Sequence, residues 1–107
     1  MPIEIFAPAR ERLLEIWDYT ERTWGAGQAD IYLRGLAAAM EKTQKTRHLW
    51  RPVEDEALAG VYYFRYRHHL VFFRELSGQT LGVITILHES MDLPSRLREA
   101  FDEESRS

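Results

Sequence analysis

Apolar positions in the first half of the chain recur every three or four residues, the spacing of one face of an α-helix. A short β-branched and aromatic run near 2–7, closed by Pro8, precedes them and predicts a strand. The first helical stripe comprises Ala9, Leu13, Ile16, Trp17, Thr20 and Trp24, and all of these, both tryptophans included, are predicted to be buried. Gly25 and Gly27 end this helix, because glycine lets the chain turn through positive φ.

A second helix is predicted to start near Gln28 and to run back against the first. Small residues at Gly35 and at 37–39 would let the two helices approach closely. Its buried stripe comprises Ala29, Tyr32, Leu33, Leu36, Met40 and Thr43. The first half of the chain therefore predicts a helical hairpin.

Beyond Trp50 the pattern changes from helix to strand. Arg51-Pro52 and the acidic residues at 54–56 predict a polar connection. Strands follow near 60–66, 69–76 and 80–88, and the short turns between them, at Arg67-His68 and at 77–79, require antiparallel neighbours.

A closing helix is predicted over 95–103. Asp92 and Pro94 resemble its cap and first turn, and Leu97, Ala100 and Phe101 would face inward. The order β-α-α-β-β-β-α is an α+β fold in one domain spanning 1–107, made of an N-terminal strand, a helical hairpin, a three-stranded antiparallel meander and a short C-terminal helix. The sequence leaves open where the first strand joins the sheet.

The strand at 69–76 is apolar on both of its faces. His69, Val71 and Phe73 alternate with Leu70, Phe72 and Arg74, and neither set is polar in its middle. Such a strand is expected at the centre of the sheet, covered on both sides by the chain's own helices or by a partner.

Composition narrows the class of protein. The 107 residues are 45% hydrophobic, which suits one modest core, and the net charge of −3 argues against a surface built as a whole for nucleic acid. Positive charge is concentrated in residues 42–74, which contain seven basic and three acidic residues. The absence of cysteine excludes disulfides and fits a reducing cytoplasm, and no segment reads as a signal peptide or membrane span.

Two histidines at strand margins, His69 and His88, admit either a structural role or one in chemistry or recognition. Arg65, Arg67 and Arg74 are either solvated edge charges or a cluster suited to phosphate or carboxylate. The histidines lack the helical spacing of metal ligands, and adjacent His68 and His69 would point to opposite faces. The sequence therefore predicts neither a metal site nor a cofactor.

Three segments together carry a family resemblance: WGAGQADIYLRGL at the helix-hairpin turn, HLVFFR in the second strand of the meander, and ILHESMD before the closing helix. In this order they resemble the ParE toxins of the RelE/ParE toxin–antitoxin superfamily. The resemblance implies a toxin with no catalytic site that engages DNA gyrase. It also implies a ParD-like antitoxin that forms a hetero-oligomer with the toxin. Contact with DNA would be indirect, through the antitoxin or through gyrase.

The same superfamily contains the RelE branch, which cleaves messenger RNA on the ribosome. Similar sequences commonly carry arginine where this chain has Thr85 and Ser90, and no tyrosine follows Tyr66 and no lysine follows Lys45. A ribonuclease site would therefore lack cations for the transition-state phosphate. Ribonuclease activity and an inactive member that only binds its antitoxin remain the alternatives to gyrase poisoning.

Candidate residues for binding the target or the antitoxin combine cations, aromatic or apolar anchors and the two histidines. The closing helix is included because it would present two arginines outward. The candidates are Arg65, Arg67, His69, Phe72, Arg74, His88, Met91, Asp92, Arg96 and Arg98.

Overall fold

The computed structural model describes residues 3–55, 58–91 and Ala100. The chain begins with strand β1 (Ile3–Ile5), followed by helices α1 (Ala7–Trp24) and α2 (Ala26–Lys45). A 3-10 turn at Arg47–Leu49 leads to β2 (Arg51–Pro52), and the sheet is completed by β3 (Val61–Tyr66), β4 (His69–Glu75) and β5 (Leu81–His88). The predicted α+β order is confirmed through β5.

The helical hairpin turns more tightly than expected. Pro8 in the first turn suits the start of α1, and Gly25, at φ 98°, ends it with its N–H donated to the Glu21 carbonyl at 2.9 Å. Helix α2 begins at Ala26, so the prediction that Gly27 lies in the turn is wrong. One glycine with positive φ is sufficient to reverse the chain.

The five strands of the described residues form one sheet in the order β1-β5-β4-β3-β2. The meander β3-β4-β5 is antiparallel, as predicted, and β1 joins it in parallel beside β5. Residues 51–52 were expected in a connection, but they form an edge strand opposite Tyr62 and Tyr63. Proline is tolerated there because an edge strand has one unpaired side.

Strand β4 is central, and apolar side chains pack on both of its faces. The hairpin covers one face, where Ala9, Ile16, Leu36 and Met40 contact Val71, Val83 and Ile86. The opposite face packs against the chain's own loop at Leu58 and against Ala100. The two-sided apolar pattern is therefore satisfied within the chain.

The stripe of α2 is buried or half-buried as predicted, but the tryptophans of α1 are not core residues. Trp17 is 39% and Trp24 is 71% exposed. Trp17 lies about 100° around the helix from buried Ile16, beyond the stripe that faces the sheet. Trp24 is the last residue of α1. Burial thus follows a narrower stripe than the sequence indicated.

The predicted closing helix, including Asp92, Arg96 and Arg98, lies outside the described residues. Ala100, which is described, is helical and 5% exposed, in agreement with an inward orientation. Neither α1 nor α2 is long and apolar enough to span a bilayer.

Candidate functional site

A groove of about 910 Å³ opens between the helical hairpin and one end of the sheet. Its walls come from α1, the start of α2, the β3–β4 turn, the end of β5 and Met91. We call it the hairpin groove. Three large apolar side chains line it and remain accessible, namely Tyr19 at 65%, Trp24 at 71% and Ile31 at 60% exposure. Large accessible apolar residues gathered around one concavity mark a binding surface.

The β3–β4 turn brings polar groups to this groove. Tyr66 pairs with His69 across a two-residue turn, and Arg67 in that turn adopts φ 53°. Positive φ is uncommon for a residue with a Cβ and is a strained conformation in arginine. The Arg67 guanidinium lies 5.7 Å from the centre of the Tyr66 ring.

His69 is the most perturbed titratable group in the groove. The hydroxyl of Tyr32 lies 2.6 Å from His69 Nδ1, and burial raises the pKa of Tyr32, so this hydroxyl keeps its proton and can donate it. Burial, aided by His88 and His68, lowers the pKa of His69 to about 4. His69 is therefore neutral near pH 7.

His88 lies directly across the sheet from His69, with the two ring centres 5.3 Å apart and the rings nearly perpendicular. The backbone N–H of Ser90 donates to His88 Nδ1 at 3.1 Å, which places the proton of the neutral ring on Nε2. Ser90 therefore orients a histidine of the groove.

The acidic group nearest this cluster is already engaged. Glu89 accepts hydrogen bonds from Arg65 at 2.7 Å and from His68 at 3.4 Å. Although burial acts in the opposite direction, these partners lower the pKa of Glu89. Arg65 is thus held in an ion pair.

The structure brings together four of the predicted residues, Arg67, His69, His88 and Met91, along the hairpin groove. Arg74 lies at the opposite end of β3–β4 from Arg65, so of the two alternatives for Arg65, Arg67 and Arg74 the three-arginine cluster does not form. Phe72 is 4% exposed and packs in the core. Asp92, Arg96 and Arg98 lie outside the described residues.

Several lining residues were missed in the sequence. Tyr32, Tyr66 and His68 looked like strand-end or helix-stripe positions, and Trp24 was assigned to the core. The available signal was that Trp24 and Ile31 flank the two-helix turn, where large apolar residues have little sheet to cover them. Thr85 is 1% exposed, so it cannot contribute to a surface site.

Comparison with known proteins gives the class of this molecule, a toxin of a type II toxin–antitoxin system. Residues 3–93 match the model of the family described as "ParE toxin of type II toxin-antitoxin system, parDE". The chain belongs to the ParE toxin family, within the RelE/ParE superfamily.

Its relatives include Toxin ParE1 of Mycobacterium tuberculosis, 34% identical over 83% of this chain and 90% of the relative. Toxin ParE1 of Caulobacter vibrioides is 31% identical over 90% and 97%. A solved structure of the chromosomal ParDE system of P. aeruginosa is similar with a TM-score of 0.66 at 17% identity, covering 82% of this chain and 95% of that one. At that identity the structural likeness shows the fold alone.

His69 is expected to make the fold less stable as the pH falls from about 6.5 to about 4, since an unfolded histidine is protonated in this window while folded His69 stays neutral. The unfolded state then binds more protons, so the free energy of unfolding decreases with falling pH and is unaffected by this group above about pH 6.5. Because the ring is only half-buried, the loss should be on the order of 1–2 kcal/mol.

Urea denaturation at several pH values measures this loss. His69→Gln, whose side chain does not titrate but can still accept a hydrogen bond from Tyr32, should show a smaller pH dependence. An identical dependence in the two proteins would contradict the assignment to His69.

Proposed function

We propose that this chain is a toxin that acts by binding DNA gyrase rather than by catalysis, and that a cognate ParD-like antitoxin neutralises it by occupying the hairpin groove. Membership of the ParE family supports gyrase as the target and a ParD-like antitoxin as the partner. The groove is assigned as the binding site because three accessible apolar side chains, Tyr19, Trp24 and Ile31, surround one concavity.

The polar groups of the groove favour recognition over phosphodiester cleavage. Cleavage needs a general base and acid with matched pKa values and cations for the transition-state phosphate. With a pKa of about 4, His69 is a weak base at neutral pH. Arg12 and Arg65 already bind Glu15 and Glu89 at 2.9 and 2.7 Å, so of these arginines only Arg67 is left to face a phosphate. Recognition of a protein needs only buried anchors and complementary charge.

Induction of the protein in cells without its antitoxin tests the mode of action. We expect a DNA-damage response before any fall in pulse-labelled protein synthesis, and accumulation of cleaved DNA when purified toxin is added to gyrase. An early halt of translation with cleaved messenger RNA would overturn the proposal in favour of ribonuclease activity. Normal growth on induction would favour an inactive member that only binds antitoxin.

Trp24→Ser is expected to weaken antitoxin binding by at least about tenfold, because a large aromatic anchor is lost from the groove. Its effect on the free energy of unfolding should be within about 0.5 kcal/mol, since the side chain is 71% exposed. Titration calorimetry with the product of the adjacent reading frame measures the affinity.

The matched control is Leu14→Ser, on the same helix, 68% exposed and outside the groove lining. It should leave antitoxin affinity unchanged. Equal losses in the two variants would remove the groove from the interface.

A further inference from the structure

One end of the hairpin groove, formed by Arg67, His69 and His88, is rich in groups that are or can become cationic. His69 and His88 are paired across β4 and β5, and the rings of His68 and His88 are stacked with their centres 6.2 Å apart. We call these three residues, Arg67, His69 and His88, the imidazole end of the groove. Protonation of His69 is opposed by burial and by the neighbouring His88 and His68.

Charged and titratable groups face His69 from every element around it. Tyr32 lies on α2, and Tyr66, Arg67 and His68 lie on β3 and in the turn after it. His88 is the last residue of β5 and Glu89 comes directly after it. Arg12 and Glu15 lie on α1, on the other wall of the groove. Both carboxylates are engaged, Glu15 by Arg12 at 2.9 Å and Glu89 by Arg65 at 2.7 Å.

Arg67 has a different environment from these paired arginines. Within the described part of the chain no carboxylate lies within ion-pair distance of its guanidinium, which instead lies against the Tyr66 ring. Its φ of 53° costs free energy that glycine at this turn position would not. A strained residue thus places a guanidinium, with no carboxylate partner among the described residues, beside the imidazoles of His69 and His88.

We infer that the imidazole end is a subsite for one carboxylate side chain of the antitoxin, and that filling it transfers one proton from solvent to the His69–His88 pair. The inference rests on the proposed function, which supplies the partner. A guanidinium matches a carboxylate in planar two-point geometry, and a carboxylate beside an imidazole favours the protonated ring. Arg67 gives the free site a positive charge with no negative partner among the described residues, so an acidic side chain would complement it.

The direction of the pH effect follows from this exchange. In the free protein, burial and the neighbouring His88 and His68 hold the pKa of His69 at about 4. A bound carboxylate raises the pKa of the pair, so the complex carries more protons than the free protein and affinity increases as the pH falls. An apolar occupant would remove water without adding charge and would give no such increase.

The test is titration calorimetry of the full-length protein with the product of the adjacent reading frame. For the wild type we expect affinity to increase at least about threefold from about pH 7.5 to about pH 5.5, with net proton uptake seen as a dependence of the heat on buffer ionisation enthalpy. Arg67→Gln should weaken binding at both pH values. Double substitution His69→Gln with His88→Gln should abolish the increase.

Arg34→Gln is the control, because Arg34 is an exposed helical arginine paired with Asp30 at 2.9 Å and lies outside the groove lining. It should behave as wild type. Wild-type affinity that does not change with pH, or an Arg67→Gln variant indistinguishable from Arg34→Gln, would overturn the subsite while leaving the antitoxin assignment intact.

Absence of binding at every pH would instead overturn the proposed function, and sodium acetate then decides the subsite alone. Compared with sodium chloride at equal ionic strength, acetate should raise the NMR titration midpoint of His69 in the wild type and not in Arg67→Gln. Equal midpoints in the two salts would overturn the inference.

Discussion

Replacing Phe73 with alanine is expected to lower the free energy of unfolding by about 3–5 kcal/mol, the largest stability loss we expect from one substitution here. Phe73 is fully buried on the central strand. Its ring centre lies 5.0 Å from that of Trp50 and 6.1 Å from those of Tyr62 and Phe64. Truncation would leave a cavity where the 3-10 turn after α2 meets the sheet.

Urea denaturation measures this loss, and Tyr19→Ala is the control because it removes an aromatic ring that is 65% exposed. Tyr19→Ala should change the free energy of unfolding by less than about 0.5 kcal/mol. Similar losses in the two variants would show that burial at Phe73 does not determine stability.

Gly35→Ala is expected to destabilise the fold by about 1–3 kcal/mol, even though alanine is the better helix former. A Cβ at position 35 would overlap the hydroxyl oxygen of Tyr66 and lie 3.0 Å from its Cζ. Since Tyr66 also packs edge-on against Tyr32 at 5.2 Å, its ring cannot move away without disturbing the groove. Thermal unfolding and antitoxin affinity should therefore both be affected.

Gly27→Ala is the matched control, since no heavy atom lies within 4 Å of the added Cβ on the same helix. It should stabilise the protein by about 0.5–1 kcal/mol through helix propensity alone. Tyr66→Phe removes the overlapping hydroxyl and should recover part of the Gly35→Ala loss in a double-mutant cycle. A stabilising Gly35→Ala would contradict the close approach.

The regular elements could be predicted because each has a strong local signal. Apolar spacing predicted both helices, and alternation with short turns predicted the meander. The prediction failed where tertiary context overrides the local signal. Gly27 lies in a helix because Gly25 alone reverses the chain, and Arg51-Pro52 forms a strand because β3 offers it an edge.

The candidate site was only partly predictable, because it is assembled from both halves of the chain. His69 and His88 could be singled out on their strands, but their direct pairing depends on a register interrupted by a bulge at Phe72–Phe73. The contact of Tyr32 with His69 joins residues 37 positions apart. This contact depends on how the helical hairpin docks on the sheet. The apolar pattern shows which face of each helix is buried, but it does not show which residues of the helix and the sheet meet.

The parallel pairing of β1 with β5 has a consequence for the order in which the molecule can fold. Ile3 pairs with Leu81, so the sheet closes only between segments that are synthesised far apart in time. Helix α1 packs against Ile86 and Val83 of β5, so its apolar face has no packing partner there until β5 has been synthesised. Long-range pairings of this kind form late and slow the folding rate. During synthesis the hairpin therefore emerges with its apolar face uncovered, and the groove is completed only once β5 and Met91 have been made.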